Sequence, residues 1–326
     1  MRRWLAFTVL CASCTHSTAP STPEPVNSAV SELQDATIPT ISRSDAGMMA
    51  SADSGVEVGA APAMVGPPDM LIVPAGPFTM GRDVGGEDDE HPAHEVTIAA
   101  FFLDKTPVTN AQYLECVATK SCRSFDATVA SKNHAGADTL FRGPNQPVDG
   151  VSWNNAKSYC EWKGKRLPRE AEYEKAMRGT DARKYAWGDD MPTHEQAVFG
   201  KPFGGGATED VGTHTAGRGP YGHDDLAGNV WEWMADEYDP IAYTRAGAAR
   251  GEPGTCPEIL ATLAKLRDSG ETGFTGTNPV PKTCEHVLRG GAYNYGPYGL
   301  RATNRVHHPG FYRLVMSGFR CAKDAP

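Results

Sequence analysis

Eight cysteines, ten histidines and a few carboxylate clusters are the residues of this 326-residue chain whose types could do chemistry. Cys11 and Cys14 stand near the N-terminus, and Cys116, Cys122, Cys160, Cys256, Cys284 and Cys321 are spread through the remainder. Eight are too few for a small disulfide scaffold of this length, yet enough for two or three bridges in an oxidising compartment. Cys116 and Cys122, six apart across a helix end, are expected to pair. His91 and His94 are close in sequence and His307 adjoins His308, but no Cys, Asp or Glu stands near either set in a transition-metal pattern. Adjacent histidines point in different directions on a strand or helix, so these read as loop or rim residues. Arg166, Glu170 and Glu172 could be taken for acid/base machinery; ion pairs at a helix start are the expected use. The run Glu87 to Glu90 is expected on a solvated loop face.

Two helices must position part of this set. In the first, Ser152 is a candidate N-cap, Trp153, Ala156 and Cys160 recur at near-helical spacing, and Gly164 ends the run. In the second, Pro168 suits the first turn, Glu170 and Glu172 suit the positive helix end, and Gly179 follows the last turn. Leu71 and Val73, then Val96, Ile98, Ala100 and Phe102, alternate as half-buried strands do, and shorter strands are expected near 287–293 and 317–322. With 35 Gly and 25 Pro, the fold predicted is a loop-rich α+β domain over residues 69–326. Forty acidic against 31 basic residues leave a net charge of −9, which excludes the electrostatic footprint of a nucleic-acid binder.

Residues 1–13 read as an export signal: Arg2 and Arg3 precede an apolar stretch too short to cross a bilayer. The run Leu10 to Cys14 resembles a bacterial lipoprotein signal, with Cys14 as the lipid acceptor, although Cys11 stands where Leu is usual; ordinary secretion is the alternative. Localisation at the cell envelope, with the membrane as a partner through the anchor, follows from that reading. Residues 14–68 are Ser, Thr, Ala, Pro, Gly and Asp with hardly a periodic apolar position, and are expected to form a disordered tether.

Motifs recurring in fixed order carry a resemblance. Met70 to Gly76 with Phe78 and Met80, Glu90 to Val96, Val108-Thr109-Asn110, Val151-Ser152-Trp153 and Gly164 to Pro168 open the series. Trp187-Gly188-Asp189, Ala227 to Trp233, Leu288-Arg289-Gly290-Gly291 and Gly318 to Ala322 complete it. The chain resembles the sulfatase-modifying factor family, whose formylglycine-generating-enzyme fold is an elaborated C-type-lectin-like one. Family enzymes resemble copper oxidases that hold copper(I) on two cysteines downstream of the Arg-Gly-Gly strand, as soft thiolates suit. Here those positions are Tyr295 and Leu300, and the serine that usually follows the double glycine is Ala292. The resemblance therefore implies the fold without copper chemistry, and a surface binding or structural module with a protein, peptide or glycan ligand. The rival is an oxidoreductase or another reaction in the same groove with a different catalytic set. The three-histidine iron motif of related sulfoxide synthases is not seen.

Further expectations rest on the same resemblance. Asp225, the carbonyls of Gly228 and Val230, and Glu232 align with an oxygen-only site, which implies structural calcium; a second such site is lost at Val198 and Phe203 to Gly206. Cys160 and Cys321 align with a family bridge, and Cys256 and Cys284, flanking an insertion at 241–286, are expected to form another. Trp153, Trp162, Trp231 and Trp233 read as core. Trp231, Tyr293, Tyr295, Tyr298 and Tyr312 fall about the family's substrate groove, where tyrosine suits recognition, or pack in the core.

Overall fold

In a computed structural model of the protein, the described residues are 66–125, 139–268 and 281–326. All belong to one compact unit, Ala60–Pro326. The export signal, Cys14, nearly all of the tether and residues 269–280 of the insertion lie outside them. Among the described residues the strands are β1 (Met70–Val73), β2 (Gly76–Met80), β3 (His94–Ile98), β4 (Phe101–Asp104), β5 (Trp231–Glu237), β6 (His286–Arg289), β7 (Val306–His308), β8 (Ser317–Gly318) and β9 (Ala322–Asp324). The helices are α1 (Asn110–Ala118), α2 (Trp153–Trp162), α3 (Glu170–Arg178) and α4 (Cys256–Asp268).

Three small sheets result: β1-β4-β9, β2-β3 and β7-β6-β5-β8. All pairings are antiparallel except β5 with β8, where Trp231 lies opposite Ser317. The chain thus returns at its C-terminus to the strand near its start, Leu103 opposite Ala322. Both faces of β4 are covered, which explains its run of four buried residues.

The helices start and stop for local reasons. Ser152 caps α2, its hydroxyl accepting from the Asn155 amide at 3.3 Å. Arg169 stands at the α3 N-cap with Pro168 just before it, and the Glu172 carboxylate accepts the Arg169 amide at 2.8 Å. Gly179, at φ 67°, ends that helix in a backbone region that favours glycine. Every residue of α3 is buried, including Glu170, Glu172, Glu174, Lys175 and Arg178. Tyr173, Ala176 and Met177 pack with Val73, Leu103, Met234, Val287 and Leu300 in one core. A second core gathers Tyr113, Tyr159, Trp231, Trp233, Leu288 and Phe319 around two disulfides.

Three bridges close the fold: Cys116–Cys122, Cys160–Cys321 and Cys256–Cys284. The second ties α2 to the residue before β9 across 161 positions. Within the insertion, α4 buries Ile259 and Leu263 in a small cluster of its own. The indoles Trp231 and Trp233 are core, as read from the sequence, whereas Trp153 and Trp162 are half-buried.

Candidate functional site

The turn after β6 sets the site that the cysteine positions define. Gly290 and Gly291 have φ of 98° and 82°. A Cβ at Gly290 would lie 2.6 Å from the Tyr173 hydroxyl, and one at Gly291 would lie 2.7 Å from the Gly299 carbonyl oxygen and 3.1 Å from Leu300 Cδ1. Only glycine lets the 291–300 loop fold back so closely. A one-turn 3-10 helix, Pro297–Leu300, then drives Leu300 inward, where it has no exposed surface. Tyr295 takes the other position, 36% exposed, with its ring edge-on to Trp231 at 5.1 Å. Of the two positions expected to correspond to the family cysteines, 300 is therefore filled by core packing and 295 by a half-exposed tyrosine. All six described cysteines are in disulfides.

The tyrosines divide. Tyr293 is fully buried and packs on Phe141 at 5.5 Å, so it belongs to the core and not to a groove wall. Tyr298 is exposed and lies under the Arg301 guanidinium at 3.8 Å. Tyr312 stacks on His308 at 5.5 Å, beside an exposed Phe311. Tyr295 and Tyr298 share the 291–300 loop, while Tyr312 follows β7.

Asp149 was not singled out by the sequence reading. Its carboxylate is fully buried, accepts one bond from Arg142 Nη1 at 2.9 Å, and leaves Oδ2 with no partner. Burial, only partly offset by Arg142, pushes its pKa up to about 7. Burial, followed by the charge of Asp149, likewise raises the Tyr293 phenol. An acid between Val148 and Val151 in an otherwise apolar run was the available signal.

In the donor set expected for calcium, part of the oxygen capacity is taken up by protein donors. Glu232 is fully buried and gives both oxygens to Arg320, Nε to Oε2 and Nη2 to Oε1 at 2.8 Å each, while the Tyr173 hydroxyl donates to Oε1 at 2.9 Å. A calcium ion would have to take Glu232 from an equally buried guanidinium and leave it unpaired. The Asp225 carboxylate accepts from the Gly212 amide at 2.6 Å, and its backbone carbonyl accepts from Arg320 Nη2 at 3.0 Å. Burial raises its carboxyl to about 6, opposed by that amide. Gly228, at φ 86°, and Val230 lie on the connecting turn, with Gly228 donating to the Gly290 carbonyl.

The acidic run at 87–90 is a correction to the solvated loop face expected of it. Asp89 and Glu90 are buried, because Glu90 meets Arg301, Thr303 and Asn304, and Asp89 accepts from the Tyr238 hydroxyl at 2.6 Å. Burial alone would raise the Glu90 carboxyl; the Thr303 hydroxyl and Arg301 outweigh it and hold the pKa below the usual range. Glu170 pairs with Arg305, Glu174 with Arg289, and Arg166 forks onto Glu172 at 2.7 and 2.8 Å. The Glu285 carboxylate accepts from His307 Nδ1 at 2.7 Å, and the His307 ring stacks on Tyr238.

These features define a loop-rich α+β domain of the formylglycine-generating-enzyme type, pinned by buried ion pairs. The chain belongs to the family described as the sulfatase-modifying factor enzyme 1-like domain, which it matches over residues 57–325. It is 33% identical over 304 residues to formylglycine-generating enzyme of Streptomyces coelicolor, covering 78% of this chain and 88% of that one. It is 32% identical over 214 residues to inactive C-alpha-formylglycine-generating enzyme 2 of Bos taurus, covering 52% and 71%. Serine/threonine-protein kinase pkn1 of Chlamydia pneumoniae is 32% identical over 268 residues, covering 78% of this chain; the match spans 38% of that protein's length. Among solved structures, PvdO from Pseudomonas aeruginosa is similar with a TM-score of 0.57 at 26% identity, covering 78% of this chain and 94% of that one.

Proposed function

We propose that this protein is an exported, lipid-anchored domain of the sulfatase-modifying factor family that acts by binding, without copper oxidation. One observation supports the reading: of the two residues that the resemblance aligns with the family's thiolates, Tyr295 and Leu300, Leu300 has no exposed surface. An aliphatic chain and a phenol cannot hold copper(I) as a pair of thiolates does. The names of the bovine and Streptomyces relatives show that inactive and active proteins share this domain. The test is incubation of the purified protein with copper and a cysteine-containing sulfatase-motif peptide, read by mass spectrometry. The thiol is expected to persist, and its conversion to an aldehyde overturns the reading. For the anchor, label from a palmitate analogue should disappear in Cys14→Ala; undiminished label rejects it.

A second reading, a different reaction in the same groove, is favoured by Asp149, whose carboxyl titrates near 7 next to Tyr293. A group with that pKa can both give and take a proton at neutral pH. The binding reading is preferred because Asp149 is sealed in, and a proton carrier must reach its substrate.

A further inference from the structure

Beside the N-terminus of α2 lies a cleft of about 640 Å³, with Lys120, Arg123, Arg313, Asn154, Ser158 and Phe311 among its lining residues. In a chain of net charge −9, cations are mostly spoken for: Arg289, Arg305 and Arg320 are paired with buried carboxylates. Among the described residues, Lys120, Arg123 and Arg313 form no ion pair. Three unneutralised cations facing one space attract negative charge.

The wall is also built, not casual. The Cys116–Cys122 bridge closes the turn that carries Lys120, which sits at φ 61° with its amide on the Val117 carbonyl at 2.9 Å. Asn155, 5% exposed, joins the three segments. Its Nδ2 donates to the Tyr113 hydroxyl at 3.1 Å and to the Arg123 carbonyl at 3.4 Å; its Oδ1 meets Ser152 and accepts from Arg313 Nη2 at 3.4 Å. The cations therefore hang from a fixed frame, which lowers the ordering cost of binding.

We infer that this cleft binds an acidic saccharide. The cations would take carboxylate or sulfate groups, Asn154 and Ser158 would bond ring hydroxyls, and Phe311, 74% exposed, offers a face for the apolar side of a sugar ring. An acidic peptide could also engage the cations, but the exposed Phe311 face beside the neutral donors and acceptors of Asn154 and Ser158 matches the apolar side and hydroxyls of a sugar ring, and the peptide enters the test as the competitor. The inference is independent of copper chemistry at 295 and 300, since the two tests read different ligands.

The experiment is calorimetric titration of the full chain with a galacturonate trisaccharide, its methyl ester and a glutamate-rich hexapeptide. Binding of the free acid is expected, weakening with salt, with no binding of the ester. Arg123→Gln and Arg313→Gln should each weaken it roughly five- to tenfold, the loss expected for one charged contact. Phe311→Ala should weaken it as well, and Lys323→Gln, an exposed cation on β9, should leave it unchanged. Lack of binding by the free acid overturns the proposal. So does equal binding of the ester, tighter binding of the peptide, or an equal effect of Lys323→Gln.

Discussion

At the scale of single residues, charge is placed where it cannot be lost cheaply. Arg320 has no exposed surface and points at four backbone carbonyls, of Asp104, Lys105, Asp224 and Asp225, so Glu232 is its counter-charge. Glu232→Gln keeps the shape and removes that charge, and should destabilise the domain by about 3–5 kcal/mol, as breaking a buried pair does. Urea unfolding measures it; a loss below about 1 kcal/mol would mean that water reaches Arg320. Because Arg320 already balances Glu232, chelation should leave the melting temperature unchanged, and a rise on adding calcium would show that Asp225 and its neighbouring carbonyls hold the ion. The sequence makes the residues of this turn visible but not their partners: whether a carboxylate faces a metal or a guanidinium depends on the side chain 88 positions away. Leu300 and Tyr295 are legible as missing thiolates, and their different fates, one plugged and one edge-on to Trp231, follow from the one-turn helix that only the structure reveals.

At the scale of elements, the disulfides do work that the short strands cannot. β8 and β9 have two and three residues, too few for much ladder energy. The Cys160–Cys321 bridge, closing 161 positions, contributes on the order of 5 kcal/mol in the chain-entropy model. Replacing both cysteines by Ala should therefore cost about 1.5 kcal/mol more than Cys256→Ala with Cys284→Ala, which frees a segment of 28 positions around α4 and its own small cluster. Differential melting of the two double variants decides it: similar losses would place the insertion in the cooperative core. The caps of α2 and the glycine stop of α3 were readable because capping is local chemistry. The burial of all nine α3 residues was not, since the partners of Glu170, Glu174 and Arg178, which are Arg305, Arg289 and the Gly81 carbonyl, arrive from remote segments. The same holds for Glu90, whose partners Arg301 and Thr303 lie more than 200 positions on.

At the scale of the whole molecule, buried ionisable groups fix how stability follows pH, and they pull in opposite directions. Burial raises Asp149 and Asp236 to about 7 and Asp225 to about 6 from an ordinary 3.8. Between those limits the folded chain keeps protons that the unfolded chain has released, so these groups favour folding most below pH 4 and progressively less up to pH 7. His223 opposes them: burial, then Arg320, lowers it to about 3 from 6.5. Only the unfolded chain takes up that proton, so this contribution is complete above pH 6.5 and is lost as pH falls toward 3. Glu90 and Glu170, held below their ordinary value of 4.5, add a further loss in acid. Three raised carboxyls against one lowered imidazole make stability decline from pH 5 toward pH 8. Asp236 isolates the effect, because its Oδ2 accepts the Glu170 amide at 2.7 Å and an asparagine oxygen can do the same without charge. In urea unfolding at pH 5 and pH 8, Asp236→Asn should lose less stability between the two than the parent, and the stability of His223→Gln at pH 4 relative to pH 6.5 should be higher than the parent's, because the opposing imidazole is gone. An unchanged difference in Asp236→Asn would mean that this carboxyl is ionised in the folded chain at pH 5, and that Glu170, the nearest like charge, tolerates a second anion beside it.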